Sequence, residues 1–175
     1  MRVVSGTLGG RTFDSPGTTK THPMSDKARG ALFNILGDVD GLTFLDAFAG
    51  SGALAFEAAS RGAASAVLLE QDKVAQQTID RNIVTLDLEG QVKLVKAAAG
   101  AWLQTSTDVF NVVLCDPPYT NVQHELLRRL AERVAPDGLF VLSWPGDGDV
   151  PEYGGFELAV QRSYGDMQLI FYRRT

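Results

Sequence analysis

Residues 43–60, Thr-Phe-Leu-Asp-Ala-Phe-Ala-Gly-Ser-Gly-Ala-Leu-Ala-Phe-Glu-Ala-Ala-Ser, run from a short apolar stretch through a glycine turn into an alanine-rich segment. Thr43-Phe44-Leu45-Asp46 reads as a strand, Gly50-Ser51-Gly52 as the turn, and Ala53 to Ser60 as a helix ended by Gly62. A strand passing through glycines into a helix start opens a βαβ unit, and therefore a parallel sheet. The glycines let backbone approach a ligand closely, and the helix start presents free N–H groups, which together suit a nucleotide-like cofactor.

A Gly-x-Gly turn alone is shared by dinucleotide enzymes and by loops with no ligand. The residue ahead of it narrows the choice. A carboxylate at Asp46, on the strand tip, repels pyrophosphate but suits a cationic amino-acid moiety such as that of S-adenosylmethionine, whose ammonium and sulfonium are both positive.

Downstream, apolar runs and helical stretches keep alternating. Ala66 to Glu70 reads as a second strand, and Lys73 to Leu86 as a helix with Val74, Thr78, Ile79, Asn82 and Ile83 on one face. Val92 to Val95 is a third strand, Ala98 to Gln104 a short helix, and Phe110 to Cys115 a fourth strand. Glu125 to Val134 follows as a helix with Leu126, Leu127 and Leu130 inward, then Gly138 to Ser143 as a fifth strand. Phe156 to Gln161 and Met167 to Arg173 have no room between them for a crossover helix, so they pair as a hairpin. The plan is α/β, a mostly parallel seven-stranded sheet with an antiparallel C-terminal hairpin.

Glu70 ends the second strand of the βαβ unit, where a carboxylate reaches a ribose and accepts from both hydroxyls. The bland alternative is a surface glutamate, and Asp72 is placed to share the role. The fourth strand ends in Asp116-Pro117-Pro118-Tyr119, where the prolines stop the strand at the edge on which open α/β sheets carry their active sites. Asp116 is an acceptor, the proline carbonyls have no neighbouring N–H, and Tyr119 offers a flat ring. Such a turn suits a planar group with an amino donor, such as a nucleobase amine. A plain strand terminator has the same letters, and only the company of the glycine turn weighs against it.

The front of the chain is broken by Gly6, Gly9, Gly10, Pro16, Gly17 and Pro23. Val3-Val4 and Arg11-Thr12-Phe13 form a small hairpin around Gly9-Gly10, and Ser25 or Asp26 caps a helix to Leu36 with Ala28, Ala31, Leu32, Ile35 and Leu36 inward and Arg29 outward. Charge is uneven. Residues 1–35 carry five cations against two anions, and the rest eleven against nineteen, so a basic arm precedes an acidic body within a net charge of −5. A solvated face accounts for such an arm as well as nucleic acid does.

The 175 residues suggest one core. Cys115 is unpaired and inside a strand, and His22 and His124 are the only histidines, so neither a disulfide framework nor a histidine-rich metal site is expected. The amino terminus has no long apolar segment, which favours a cytoplasmic protein with no membrane partner. A monomer is the default.

In this order and spacing, Asp-x-Phe-Ala-Gly-Ser-Gly, Glu70 and Asp-Pro-Pro-Tyr resemble the S-adenosylmethionine-dependent methyltransferases of exocyclic amines, which have the class I, Rossmann-like sheet. Met1 to Gly6 and Ser25 to Leu36 narrow the resemblance to the RsmD family of 16S rRNA (guanine-N2)-methyltransferases. It implies small-subunit rRNA or an assembling 30S subunit as partner, bound by an extension over residues 1–36 ahead of a catalytic domain over residues 37–175. The implied catalytic residues are Asp116, Pro117, Pro118 and Tyr119. S-adenosylmethionine falls to Asp46, Phe48, Ala49, Gly50, Ser51, Gly52, Glu70 and Gln71, and RNA to Arg2, Arg11, Lys20, His22, Lys27 and Arg29, with no metal. Two positions depart from the family pattern. His22 stands where an arginine is usual, and Ala97-Ala98-Ala99 where a polar residue commonly meets the adenine amine. Competing readings are a DNA adenine-N6 methyltransferase, for which the chain is short of a recognition insertion, a protein-glutamine methyltransferase, which calls for Asn at position 116, and a non-catalytic assembly factor.

Overall fold

A computed structural model describes residues 1–17 and 23–175. After helix α1 (Asp26–Leu36) the chain runs β1 (Thr43–Asp46), α2 (Ala53–Ser60), β2 (Ser65–Leu69), α3 (Lys73–Thr85), β3 (Val92–Val95), α4 (Ala99–Thr105), β4 (Phe110–Cys115), α5 (His124–Ala131), β5 (Val134–Pro145), β6 (Phe156–Tyr164) and β7 (Met167–Arg174). The seven strands form one sheet in the order β3-β2-β1-β4-β5-β7-β6. The first five are parallel, and β7 runs antiparallel between β5 and β6. The order reverses at β1, so its carboxyl end and that of β4 flank the crevice where open sheets bind ligands.

Period-two alternation divides the strands between two cores. Phe44, Leu68, Leu114 and Val141 pack with α1, α2 and α3, while Leu45, Leu69, Cys115 and Leu142 pack with α4 and α5. Val3 and Phe13 join the first of these cores, with the Phe13 ring edge-on to Phe56 at 5.1 Å. The front hairpin is a single bridge, Arg2 to Thr12, with Val3 and Arg11 joined through their backbone. Its residues sit on the end of α2, where the Ser60 carbonyl accepts from the Thr7 amide and the Ser60 hydroxyl from the Leu8 amide.

Four expectations are corrected. Val74 is half exposed, because the buried stripe of α3 is Ala75, Thr78, Ile79, Asn82 and Ile83, and Val74 lies roughly 100° round the helix from its centre. Helix α5 stops at Ala131, since Val134 already pairs with Phe110 as the first residue of β5, whose register then shifts before Val112. Within α5, Leu126 is only half-buried. On α1 the buried residues are Ala28, Arg29, Leu32 and Phe33, so Arg29 points inward. Ser25 is the cap of that helix, accepting from the Ala28 amide at 3.1 Å.

Candidate active site

Strand alternation places Asp46, Asp116 and Ser143 on the α1/α2 side of the sheet, with Glu70 following β2 on the same phase. In strand order the carboxyl edge therefore carries Glu70, Asp46, Asp116 and Ser143 side by side on β2, β1, β4 and β5.

The glycine turn is held by Glu70. Its two carboxylate oxygens accept from the amides of Gly50, at 2.8 Å, and Asp72, at 2.7 Å, tying the turn after β1 to the start of α3. Lone pairs on both oxygens stay open to a ligand hydroxyl. The Asp72 side chain caps α3, its Oδ1 accepting from the Ala75 amide at 3.0 Å. Gly52 has φ 82°, and an added Cβ would lie 2.8 Å from the Phe56 ring, so both conformation and space require glycine there. Of the other cofactor-facing candidates, Ala49 and Ser51 are buried, Phe48 is half-buried and Gln71 is exposed.

Asp46 is buried, and neither of its carboxylate oxygens has a hydrogen-bond partner among the described residues. Burial, and then the neighbouring Asp116 and Glu70 carboxylates, push its pKa up to about 7, opposed by the Phe48 amide, which stops short of a full hydrogen bond. A buried carboxylate without partners is costly unless a cation or donor arrives. The residues present thus fit a cationic ligand group at Asp46, with Glu70 one strand away for a sugar.

Asp116 is half-buried, and burial raises its pKa while the Ser143 hydroxyl holds it down. Pro117 is buried, and its carbonyl has no donor among the described residues, whereas the Pro118 carbonyl accepts from the Asn121 amide at 3.3 Å. The expectation that both carbonyls stand open is corrected to Pro117 alone. Tyr119 is 39% exposed, and its hydroxyl hydrogen-bonds Ser143.

Of the basic candidates, Lys27 is exposed, Arg2 pairs with Asp26 at 2.9 Å, and Arg11 pairs with Asp87 at 3.4 Å. Arg29 is wholly buried, bonded to Asp26 and to the Arg2 carbonyl and facing Glu57, so its assignment to RNA is corrected to a core role. Lys20 and His22 lie outside the described residues. Ala97 and Ala98 are half-buried, and Ala98 precedes α4 without a side-chain cap. Among the described residues no cluster of three or more His, Cys, Asp or Glu is arranged to hold a metal, and no helix is long and apolar enough to cross a membrane.

The sequence reading missed Ser143, Met24 and Leu54, which meet Asp116 around one small recess. For Ser143 a signal existed. It ends the apolar run of β5 on the same alternation that brings Asp116 inward.

The family model described as "Conserved hypothetical protein 95" matches residues 1–173. The chain belongs to this family, the RsmD family. "Putative rRNA methyltransferase YlbH" of Bacillus subtilis is 31% identical over 99% of both chains. The "Ribosomal RNA small subunit methyltransferase D" of Escherichia coli is 38% identical over 120 residues, which span 68% of this chain and 60% of that protein. Among solved structures, "Putative methyltransferase yhhF from Escherichia coli" superposes with a TM-score of 0.89 at 30% identity, covering 99% of this chain and 97% of that one. As a member of the RsmD family, the chain has the class I methyltransferase fold, with its seven strands in the arrangement described above.

Proposed function

We propose that the protein is an S-adenosylmethionine-dependent methyltransferase acting on the N2 amine of a guanine in small-subunit rRNA, free or in an assembling 30S subunit, as a cytoplasmic monomer. The observation that carries this reading is the adjacency of two open acceptor sites on neighbouring strands, the Asp46 carboxylate that ends β1, partnerless among the described residues, and the Asp116-Pro117 turn after β4. One suits a cation and the other an amine. The relatives named as rRNA methyltransferases supply the substrate class.

S-adenosylmethionine, when bound, supplies an electrophilic methyl group. Asp46 would hold its cationic amino-acid end, Glu70 its ribose hydroxyls, and the backbone from Phe48 to Gly52 its close approach, with Gln71 at the open rim. The alanines at 97–99 leave the adenine to backbone and packing.

On the substrate side, the guanine amine is a weak nucleophile because its lone pair is delocalised into the ring. Acceptance of its two hydrogens by the Asp116 carboxylate and the Pro117 carbonyl favours a pyramidal nitrogen with an available lone pair. Tyr119 stacks on the base, and fixed alignment of the two reactants contributes about 7–11 kcal/mol towards the barrier. The base must leave its stack to reach the turn, at a cost of a few kcal/mol. Residues 1–36 form the RNA-facing extension and residues 37–175 the catalytic part. Arg2, Arg11 and Lys27 supply phosphate contacts, together with Lys20 and His22.

Incubation with labelled S-adenosylmethionine and unmethylated small subunits, naked rRNA or DNA, followed by mapping of the label, tests the reading. Label on one guanine N2 of the small-subunit rRNA is expected. Label on adenine in DNA, or none at all, rejects it.

A further inference from the structure

The recess beside Asp116 has two polar walls, and they belong to neighbouring strands. Leu114 pairs with Val141 and Cys115 with Leu142, so the next step of this parallel register sets Asp116 beside Ser143. Both side chains line the recess, which is otherwise walled by apolar groups including Met24, Leu32, Leu54 and Val141. Ser143 is 2% exposed, and its hydroxyl also meets that of Tyr119.

The hydrogens in this cluster can be counted. A serine hydroxyl has one proton and two lone pairs, and a carboxylate only accepts. The bond between the Ser143 and Tyr119 hydroxyls can run in either direction, and the Asp116 carboxylate beside them is a second acceptor for the serine proton. With that single proton given to either neighbour, the Ser143 oxygen keeps at least one lone pair. The wall thus presents two acceptors in a row, the Asp116 carboxylate and the Ser143 oxygen. Guanine carries two donors in a row, the N2 amine and the ring N1–H. Adenine carries a donor, its amine, beside an acceptor, its unprotonated N1.

We propose that Ser143 is a specificity-determining residue, whose oxygen accepts the guanine N1–H while Asp116 accepts from the N2 amine. The inference rests on the guanine-N2 reading and deepens it. Adenine in the same slot sets its N1 lone pair against the remaining lone pair of Ser143, and a buried acceptor left without a donor is where discrimination is largest. Tyr119 takes part indirectly, since its hydroxyl and the Asp116 carboxylate are the two neighbours that can occupy the serine proton.

The test uses the full chain with rRNA ligated to carry either guanine or 2-aminopurine at the mapped position. 2-Aminopurine keeps the N2 amine but has an unprotonated N1. The wild-type protein is expected to favour guanine about tenfold or more in kcat/KM. In Ser143→Ala the ratio should fall to about one to two, with cofactor Kd within about twofold of wild type, and Ser143→Thr should restore the preference. Ser143→Cys, of similar size but a weak acceptor, replaces the alanine variant should that fail to fold. A preference undiminished in the folded alanine or cysteine variant overturns the assignment, as does a wild-type protein indifferent to the two bases. Failure of the wild type to methylate guanine at all instead overturns the proposed function, and this inference with it.

Discussion

Arg29 on α1 faces Glu57 on α2 at 3.7 Å, with both side chains withdrawn from solvent. Glu57 also accepts from the amides of Val4 and Ser5, at 2.8 and 3.0 Å, and from Arg61 at 2.8 Å. One buried carboxylate thus pins the front of the chain to the α2 helix that follows the glycine turn. Arg29→Met removes a cation from this cluster. Loss of one partner of a buried pair costs about 3–5 kcal/mol, which corresponds to roughly 10 °C in Tm for a chain of this size. Thermal unfolding checks this.

Lys27, two residues earlier and exposed, should behave oppositely. Lys27→Glu is expected to leave Tm nearly unchanged while weakening rRNA binding and lowering the slope of log K against log salt by about one. Filter binding across a salt series measures both. An unchanged affinity and slope make this face merely solvated.

Asp116→Ala should lower methyl transfer at least ~100-fold, as loss of a positioned charge-stabilising group does, with cofactor affinity nearly intact. Single-turnover rates together with calorimetric Kd separate the two effects. Near-normal turnover removes Asp116 from the chemistry.

Glu70→Ala should act on cofactor binding and stability together, because the carboxylate it removes also satisfies the Gly50 and Asp72 amides. A Kd weaker by tenfold or more is expected, with about 1–3 kcal/mol lost in denaturant unfolding. An unchanged Kd in a folded variant confines Glu70 to supporting the turn.

Asp46 gives a pH signature. Its folded pKa of about 7 lies above the ordinary 3.8, so between those values the native state binds more protons than the unfolded one. The contribution of Asp46 to stability is therefore greatest at low pH, is lost as pH rises from about 4 to 7, and is level above that. Cofactor affinity runs the other way, because holding a cation requires the carboxylate. Log Kd should worsen by up to about one unit per pH unit as pH falls below 7. Asp46→Asn should raise Tm above pH 7 and abolish that pH slope, as read by calorimetry and thermal scans over pH 5–9.

Much of the sheet was legible because its strands are short apolar runs punctuated by glycine and proline. β1, α2, β3 and β4 fall on the expected residues, for example Thr43–Asp46 and Phe110–Cys115. The misplaced end of α5 has a physical cause, since Val134 is apolar enough for either element and only pairing with Phe110 makes it strand. Arg29 was misread because a cation on an amphipathic helix ordinarily faces water. Its burial depends on Glu57, 28 positions away, whose presence among the alanines of α2 was the one available hint.

By itself the sequence determined the strand-turn-helix at residues 43–60, the Asp-Pro-Pro-Tyr turn, the parallel plan and the family, because local periodicity and short motifs fix these. Tertiary structure alone decided which polar groups meet. It set Ser143 beside Asp116, gave Glu70 the glycine turn, left Asp46 without a hydrogen-bond partner among the described residues, and turned Arg29 inward. Those outcomes depend on register between strands and on burial, and both arise only when segments distant in the chain are brought together.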